Sequence, residues 1–274
     1  MTALDMSNNA LCGQIPLVWP PRIILLLLND NLLTGSIPPN LELSFSLQIL
    51  NLANNRLNGI IPPSLAKYPQ LRILNLGDNN LEGVMPSEFG MLSQLLSLVI
   101  KNNQLSGAFP PSISNCSYLT FLDIGQNLLK GGIPKTVGNL SKLQVLSMRK
   151  NYFEGSIPAE IGQLKYLQIL DLSSNRLSGF IPRSIFSLQA ILVEPEEGYI
   201  MPYKIVYDIK SMYNNELNMN SKGRDENYTY IFSTMSAIDL SNNQLNGDVS
   251  SDLGNLKGLK GPWIFELFRG TQLF

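Results

Sequence analysis

"LNLANNRLNGIIP", residues 50–62, returns as "LNLGDNNLEGVMP" at 74–86 and as "LVIKNNQLSGAFP" at 98–110. The shared pattern, L-x-L-x-x-N-x-L-x-G-x-I-P, also opens at Leu4, Leu26, Leu122, Leu146 and Leu170, and a last copy starts at Ile238. Its asparagines are Asn9, Asn31, Asn55, Asn79, Asn103, Asn127, Asn151, Asn175 and Asn243. Apart from one step of 22 (31 − 9), neighbours up to Asn175 stand 24 apart. A fixed period of this length marks a solenoid, with one coil per block.

Each conserved type in the block has a physical task. Leucines two apart, such as Leu50 and Leu52, point to the same side of a strand and enter the core. The asparagine follows where the chain turns inward. Its amide both donates and accepts, so it can satisfy backbone groups exposed by the turn, and stacked copies should form a ladder. Glycine opens backbone conformations closed to other residues. Proline fixes φ and withholds a donor, which suits a second surface away from the main ladder. The L-x-x-L steps before each strand, such as Leu65 to Leu71, complete the core. One coil cannot bury its apolar face alone, so stability comes from stacking.

Composition narrows the function. Charged residues are 15% of the chain and the net charge is −1. That is not the basic surface of a nucleic-acid binder. There is no histidine, which removes the commonest metal ligand and general base. Cys12 and Cys116 lie far apart and form no CxxC pair, so no zinc site is expected. They read as two buried free thiols rather than a disulfide. The apolar run "IILLLL" at 23–28 is too short to span a bilayer. No catalytic motif appears, and neither an enzyme nor a cofactor or metal is expected.

The rhythm breaks after Pro182. The next core positions fall on Glu194 and Glu196, and the next ladder position on Tyr199. It resumes at Phe232, Met235, Ile238 and Leu240. From Tyr199 to Asn243 is 44 residues, the length of the extra chain. The organisation expected is therefore repeats at 1–193, about eight and the start of a ninth. A non-repeat island follows at 194–231, then a resumed repeat at 232–259 and an irregular tail at 260–274. The island holds six of the ten tyrosines: Tyr199, Tyr203, Tyr207, Tyr213, Tyr228 and Tyr230. Long insertions in compact proteins are often functional or disordered. Tyrosine offers broad amphipathic contact at low entropy cost. The residues alone leave a contact island and a tolerated loop equally open.

The repeat resembles the 24-residue plant-specific leucine-rich repeat, from Thr2 to about Leu259. Within that class it is similar to the ectodomains of plant receptor-like proteins and receptor-like kinases. The resemblance implies an α/β repeat solenoid: a curved right-handed superhelix with parallel strands on its concave face. It also implies a second short strand from the Gly-x-Ile-Pro segment. The function it implies is recognition of peptide, pathogen-derived or self-derived ligands at the cell surface. "KGRDENYTYIFSTMSAIDLSNNQLNGDV", from Lys222, resembles the junction in receptor-like proteins where a lysine–glycine segment and an aromatic lead into the membrane-proximal repeats. Lys222, Gly223, Tyr228 and Tyr230 fit it. The chain departs from the family by showing no capping segments, leader, membrane helix or kinase domain. It is expected to be a piece of a longer protein with uncapped ends. Its membrane attachment and its place on the extracellular side of the plasma membrane would belong to the full-length parent.

Candidate contact residues follow from these two regions. One outward column of the strands holds Asn51, Asn75, Val99, Asp123, Ser147, Asp171 and Asp239. The next holds Ala53, Gly77, Lys101, Gly125, Arg149, Ser173 and Ser241. Lys101 and Arg149, with Asp123 and Asp171 diagonal to them, form a mixed-charge strip able to hold a carboxylate or other anion. Phe121 adds an apolar contact. Tyr203, Lys222, Arg224 and Tyr228 are the island candidates. Glycosylation sequons stand at Asn115, Asn139 and Asn227. The leading expectation is a ligand-recognition ectodomain that binds a peptide or protein and signals through a co-receptor kinase. The alternatives are a secreted inhibitor of microbial cell-wall enzymes and an inactive truncated repeat protein.

Overall fold

The computed structural model describes residues 2–192, 217–221, 224–228, 236–248 and 250–256. The tail from 257 onward, including the whole of 260–274, and most of the 194–231 island lie outside them.

Each coil contributes one strand to each of two open parallel sheets. The first sheet takes Thr2–Asp5, Ile23–Leu27, Ile49–Asn51, Ile73–Asn75, Ser97–Val99, Phe121–Asp123, Val145–Ser147, Ile169–Asp171 and Ala237–Asp239, in chain order. The second takes Cys12–Gly13, pieces of four or five residues such as Arg56–Ile60 and Arg176–Gly179, and last Gln244–Leu245. This is an α/β solenoid. Most strands of the first sheet pair in constant register: Leu50 opposite Leu74, Leu74 opposite Leu98, Leu98 opposite Leu122. The alternate residues Leu50, Leu52, Leu57, Leu65 and Leu71 are essentially inaccessible and form one continuous core along the stack.

The second strand is not where the resemblance put it. From Leu32–Ser36 to Arg176–Gly179 it starts one residue after the ladder asparagine and ends at or just past the glycine, as in Arg56–Ile60 and Gln104–Gly107. The Ile-Pro pair lies beyond it. Ile61 drops into the core, and Pro62 ends the extended segment and opens a 3-10 turn over Pro63–Lys67. The pattern recurs behind Pro86, Pro110, Pro134, Pro158 and Pro182. Each turn is five residues long, so i→i+3 bonds such as Leu65 N–H to Pro62 O suffice to close it. A single α-helical turn, Gln189–Leu192, follows the last one before the insert.

One constraint escaped the repeat consensus. The residue before every ladder asparagine has a positive φ of 50–56°: Asn8, Asp30, Asn54, Asp78, Asn102, Gln126, Lys150, Ser174 and Asn242. Six of these nine are Asn or Asp, the non-glycine residues that tolerate the left-handed region. Their side chains also meet between coils, Asn102 Nδ2 donating to Asp78 Oδ1 at 2.9 Å. Asn242 Nδ2 instead meets Ser174 Oγ, at 3.4 Å. Ser174→Asp restores both the backbone preference and the short amide–carboxylate contact. It is expected to stabilise the chain by roughly 0.5–1 kcal/mol, as a higher urea midpoint.

The insert leaves the stacking undisturbed. Asp171 stands opposite Asp239, a separation of 68 that is the usual 24 plus the 44 extra residues. Within the island, Leu217–Ser221 and Arg224–Tyr228 form an antiparallel two-stranded sheet, Ser221 opposite Arg224 and Leu217 opposite Tyr228. The cysteines differ from expectation in one respect. Both are free and Cys116 is buried, but Cys12 is exposed, because it stands beside the glycine of a surface strand rather than in an L-x-x-L core slot. Burial pushes the Cys116 thiol up to about 11.

Candidate ligand-binding site on the parallel sheet

The asparagine ladder sets the geometry on which the site stands. Asn127 is 5% exposed. Its Oδ1 accepts from Leu105 N–H in the preceding coil, at 3.0 Å. Its Nδ2 donates to Ile100 O across the coil boundary and to Ile124 O and Gly125 O in its own coil. Asn79, Asn103, Asn151 and Asn175 repeat the same four bonds. Asn243 makes them across the insert, to Leu177 N–H and Leu172 O. Asn9, in the first described coil, is exposed, and its Nδ2 donates to Met6 O and Ser7 O of its own turn.

The strands then bring Lys101, Phe121, Asp123, Arg149 and Asp171 onto one face. All five are buried, Arg149 at 2% exposure and Asp171 at 0%. Strand-end positions dictate part of what the acids do. Asp123 Oδ1 accepts the Gly125 N–H, Asp171 Oδ1 the Ser173 N–H and Asp239 Oδ1 the Ser241 N–H, each near 3.0 Å. Asn51 and Asn75 do the same for Ala53 and Gly77. These side chains therefore close an Asx turn at the strand end, a role read from i to i+2 spacing that the charge pattern had not suggested.

The two cations lie on glycines. A Cβ at Gly77 would meet Lys101 Cγ at 3.3 Å, and one at Gly125 would meet Arg149 Cγ at 2.9 Å. The Gly–Lys–Gly–Arg alternation down the second column is thus a packing arrangement in which each basic stem crosses a bare backbone. Lys101 Nζ reaches Asp78 Oδ2 at 3.9 Å, and Arg149 Nε reaches Asp171 Oδ2 at 3.9 Å. Desolvation raises the Asp123 carboxyl above its ordinary range, opposed by Lys101 and by the Gly125 amide. Asp171 is pushed up to about 7, first by desolvation and then by Asp239, against the pull of Arg149. Asp239 is likewise raised by its burial.

The remaining candidates are separate from this strip. Tyr203 and Lys222 lie outside the described residues. Arg224, Asn227 and Tyr228 sit on one strand of the island hairpin. Asn115 and Asn139 are exposed and occupy the same place in successive coils, the last residue of a 3-10 turn. Among the described residues, no group of three or more Cys, Asp or Glu side chains is placed to hold a metal, and no helix is long and apolar enough to cross a membrane.

Family models described as leucine-rich repeat match residues 45–105, 69–129, 117–177 and 235–256. No curated protein sequence matches the chain. Among solved structures, the chain is similar to the ectodomain of the Arabidopsis receptor kinase HAESA in complex with an extended IDA peptide hormone. The identity is 26% and the TM-score 0.75, over 98% of this chain and 38% of that one. A second HAESA structure, with IDA and the co-receptor SERK1, gives 25% and 0.65 over 100% and 42%. PEPR1 in the PEPR1–AtPEP1 structure gives 29% and 0.67 over 99% and 35%. The chain therefore spans less than half the length of these receptors. With the repeat, the fold and the model matches in agreement, the chain belongs to the leucine-rich repeat family and is built like the ectodomains of plant receptor kinases.

Proposed function

We propose that this chain is part of the ligand-recognition ectodomain of a plant cell-surface receptor-like protein. The observation that carries the reading is an in-register parallel sheet with a charged strip, interrupted once by a tyrosine-rich insert and resumed in phase. It is supported by neighbours solved with peptide hormones and, in one case, with a co-receptor. The ligand would be a peptide or protein, and binding would be the whole of this chain's part. Signalling would pass to a partner kinase on the far side of a membrane that the parent protein spans. Neither catalysis nor nucleic-acid binding has a place in this reading. Asn115, Asn139 and Asn227 would carry glycans in the secretory pathway, and defence or development would be the setting.

Two contact regions follow. Lys101, Phe121, Asp123, Arg149 and Asp171 can touch a ligand only where their buried face opens. Arg224 and Tyr228 of the hairpin, with Tyr203 and Lys222, form the second region. The test is a panel of synthetic secreted plant peptides titrated onto the immobilised chain by surface plasmon resonance. At least one peptide is expected to bind, and the double change Arg224→Ala/Tyr228→Ala to weaken it by about tenfold, or about 1.4 kcal/mol. Binding untouched by that change and by Lys101→Ala would overturn the assignment of both regions.

A further inference from the structure

The strand pair Ile169–Asp171 and Ala237–Asp239 is the one place in the first sheet where neighbours are joined through the insert. Its last register position sets two carboxylates side by side, Asp171 fully buried and Asp239 5% exposed. Elsewhere in the sheet an acid in this column faces a neutral partner: Asp123 stands between Val99 and Ser147. Asp171 Oδ1 is engaged by Ser173, whereas Oδ2 is buried and makes no hydrogen bond. Its nearest cation, Arg149 Nε, stands 3.9 Å away, beyond hydrogen-bond range.

From this geometry we infer that Asp171 and Asp239 share one proton and act as a pH-dependent latch holding the coil after the insert to the coils before it. Two carboxylates in adjacent buried positions do not both ionise without cost. With one proton present, Oδ2 of Asp171 turns from an unmatched acceptor into a donor. Once that proton leaves, two like charges face each other across the strand pair. From the Asp239 side there is Asp239 itself. From the Val145–Ser147 side there is only Arg149, two residues on. Asp123 lies one strand further and Lys101 beyond it, so three carboxylates meet two cations. The raised Asp171 carboxyl, near 7, fits this arrangement. Since the folded state holds its proton more tightly than the unfolded chain, the stability it supplies is complete below about pH 4 and lost as pH rises through about 7.

The test uses the full 274-residue chain. Carboxyl ¹³C NMR should show one member of the pair titrating above pH 6, and both midpoints below 5 would overturn the latch. Hydrogen exchange read by mass spectrometry and corrected for intrinsic rate should add a second reading. Protection of peptides over 236–248 should fall by about tenfold or more from pH 5.5 to 8, while 49–55, which holds no titratable side chain, stays steady. Asp171→Asn, which keeps the Ser173 bond, should erase that fall; Asp239→Asn serves if the first variant does not fold. An equal fall in both segments, or one that survives the substitution, excludes the proposal.

Discussion

Asn127→Ala is expected to cost about 3 kcal/mol of unfolding free energy, and Asn9→Ala less than about 0.5 kcal/mol. The two residues hold the same place in the repeat. At Asn127 the change removes the acceptor of the Leu105 N–H, which belongs to a buried residue. Such an orphaned donor costs about 1–3 kcal/mol. The carbonyls fare better. Ile100 O keeps the Asn103 amide, Ile124 O keeps Asn151, and Gly125 O keeps the Asn102 N–H. Their loss is therefore the smaller net value of a hydrogen bond, about 1 kcal/mol or less each. Asn9 spans no earlier coil in the structure and is bathed in solvent, so water replaces what its side chain supplied. Urea midpoints of the two variants and the parent decide the matter. Equal losses would mean that the ladder does not act through the inter-coil bonds.

This contrast also shows what could be read from the chain alone. The ladder was legible because one amide at a 24-residue period has to satisfy the same backbone groups in every coil. The core was legible for the same reason, and the resumption at Ile238 followed from phase. The Asx turns were not, because Asn51 and Asp123 look like a neutral and a charged ligand contact until their i+2 amides are placed. The left-handed position was hidden by Gln126, Lys150 and Ser174, which break the Asn/Asp preference that marks it elsewhere. The burial of Lys101 and Arg149 was hidden too. Charge argues for solvent, and only the glycines at 77 and 125 hint that the basic stems lie flat. The facing of Asp171 by Asp239 required knowing that a coil 68 residues away is the immediate neighbour.

Arg149→Met should destabilise the chain by about 3–5 kcal/mol at pH 8 and by roughly half of that at pH 5. The guanidinium is 2% exposed and lowers the carboxyls of Asp123, Asp171 and Asp239 at once. Methionine keeps the volume and the stem that crosses Gly125, so packing is largely retained and the lost charge dominates. At pH 8 three buried carboxylates would be left with Lys101 as their one described cation. Removing one partner of a buried pair costs far more than the pair itself contributes, because the survivor stays charged without water. At pH 5 the Asp171 carboxyl, near 7 in the parent, already carries its proton, and less negative charge remains to be orphaned. Urea titrations of both proteins at the two pH values give the comparison. A loss that is the same at pH 5 and pH 8 would show that Arg149 does not act as the counter-charge of the titrating carboxyls. A loss that shrinks on acidification would show that it acts as the shared counter-charge of the strip, and Arg149→Lys should then recover part of the stability at pH 8.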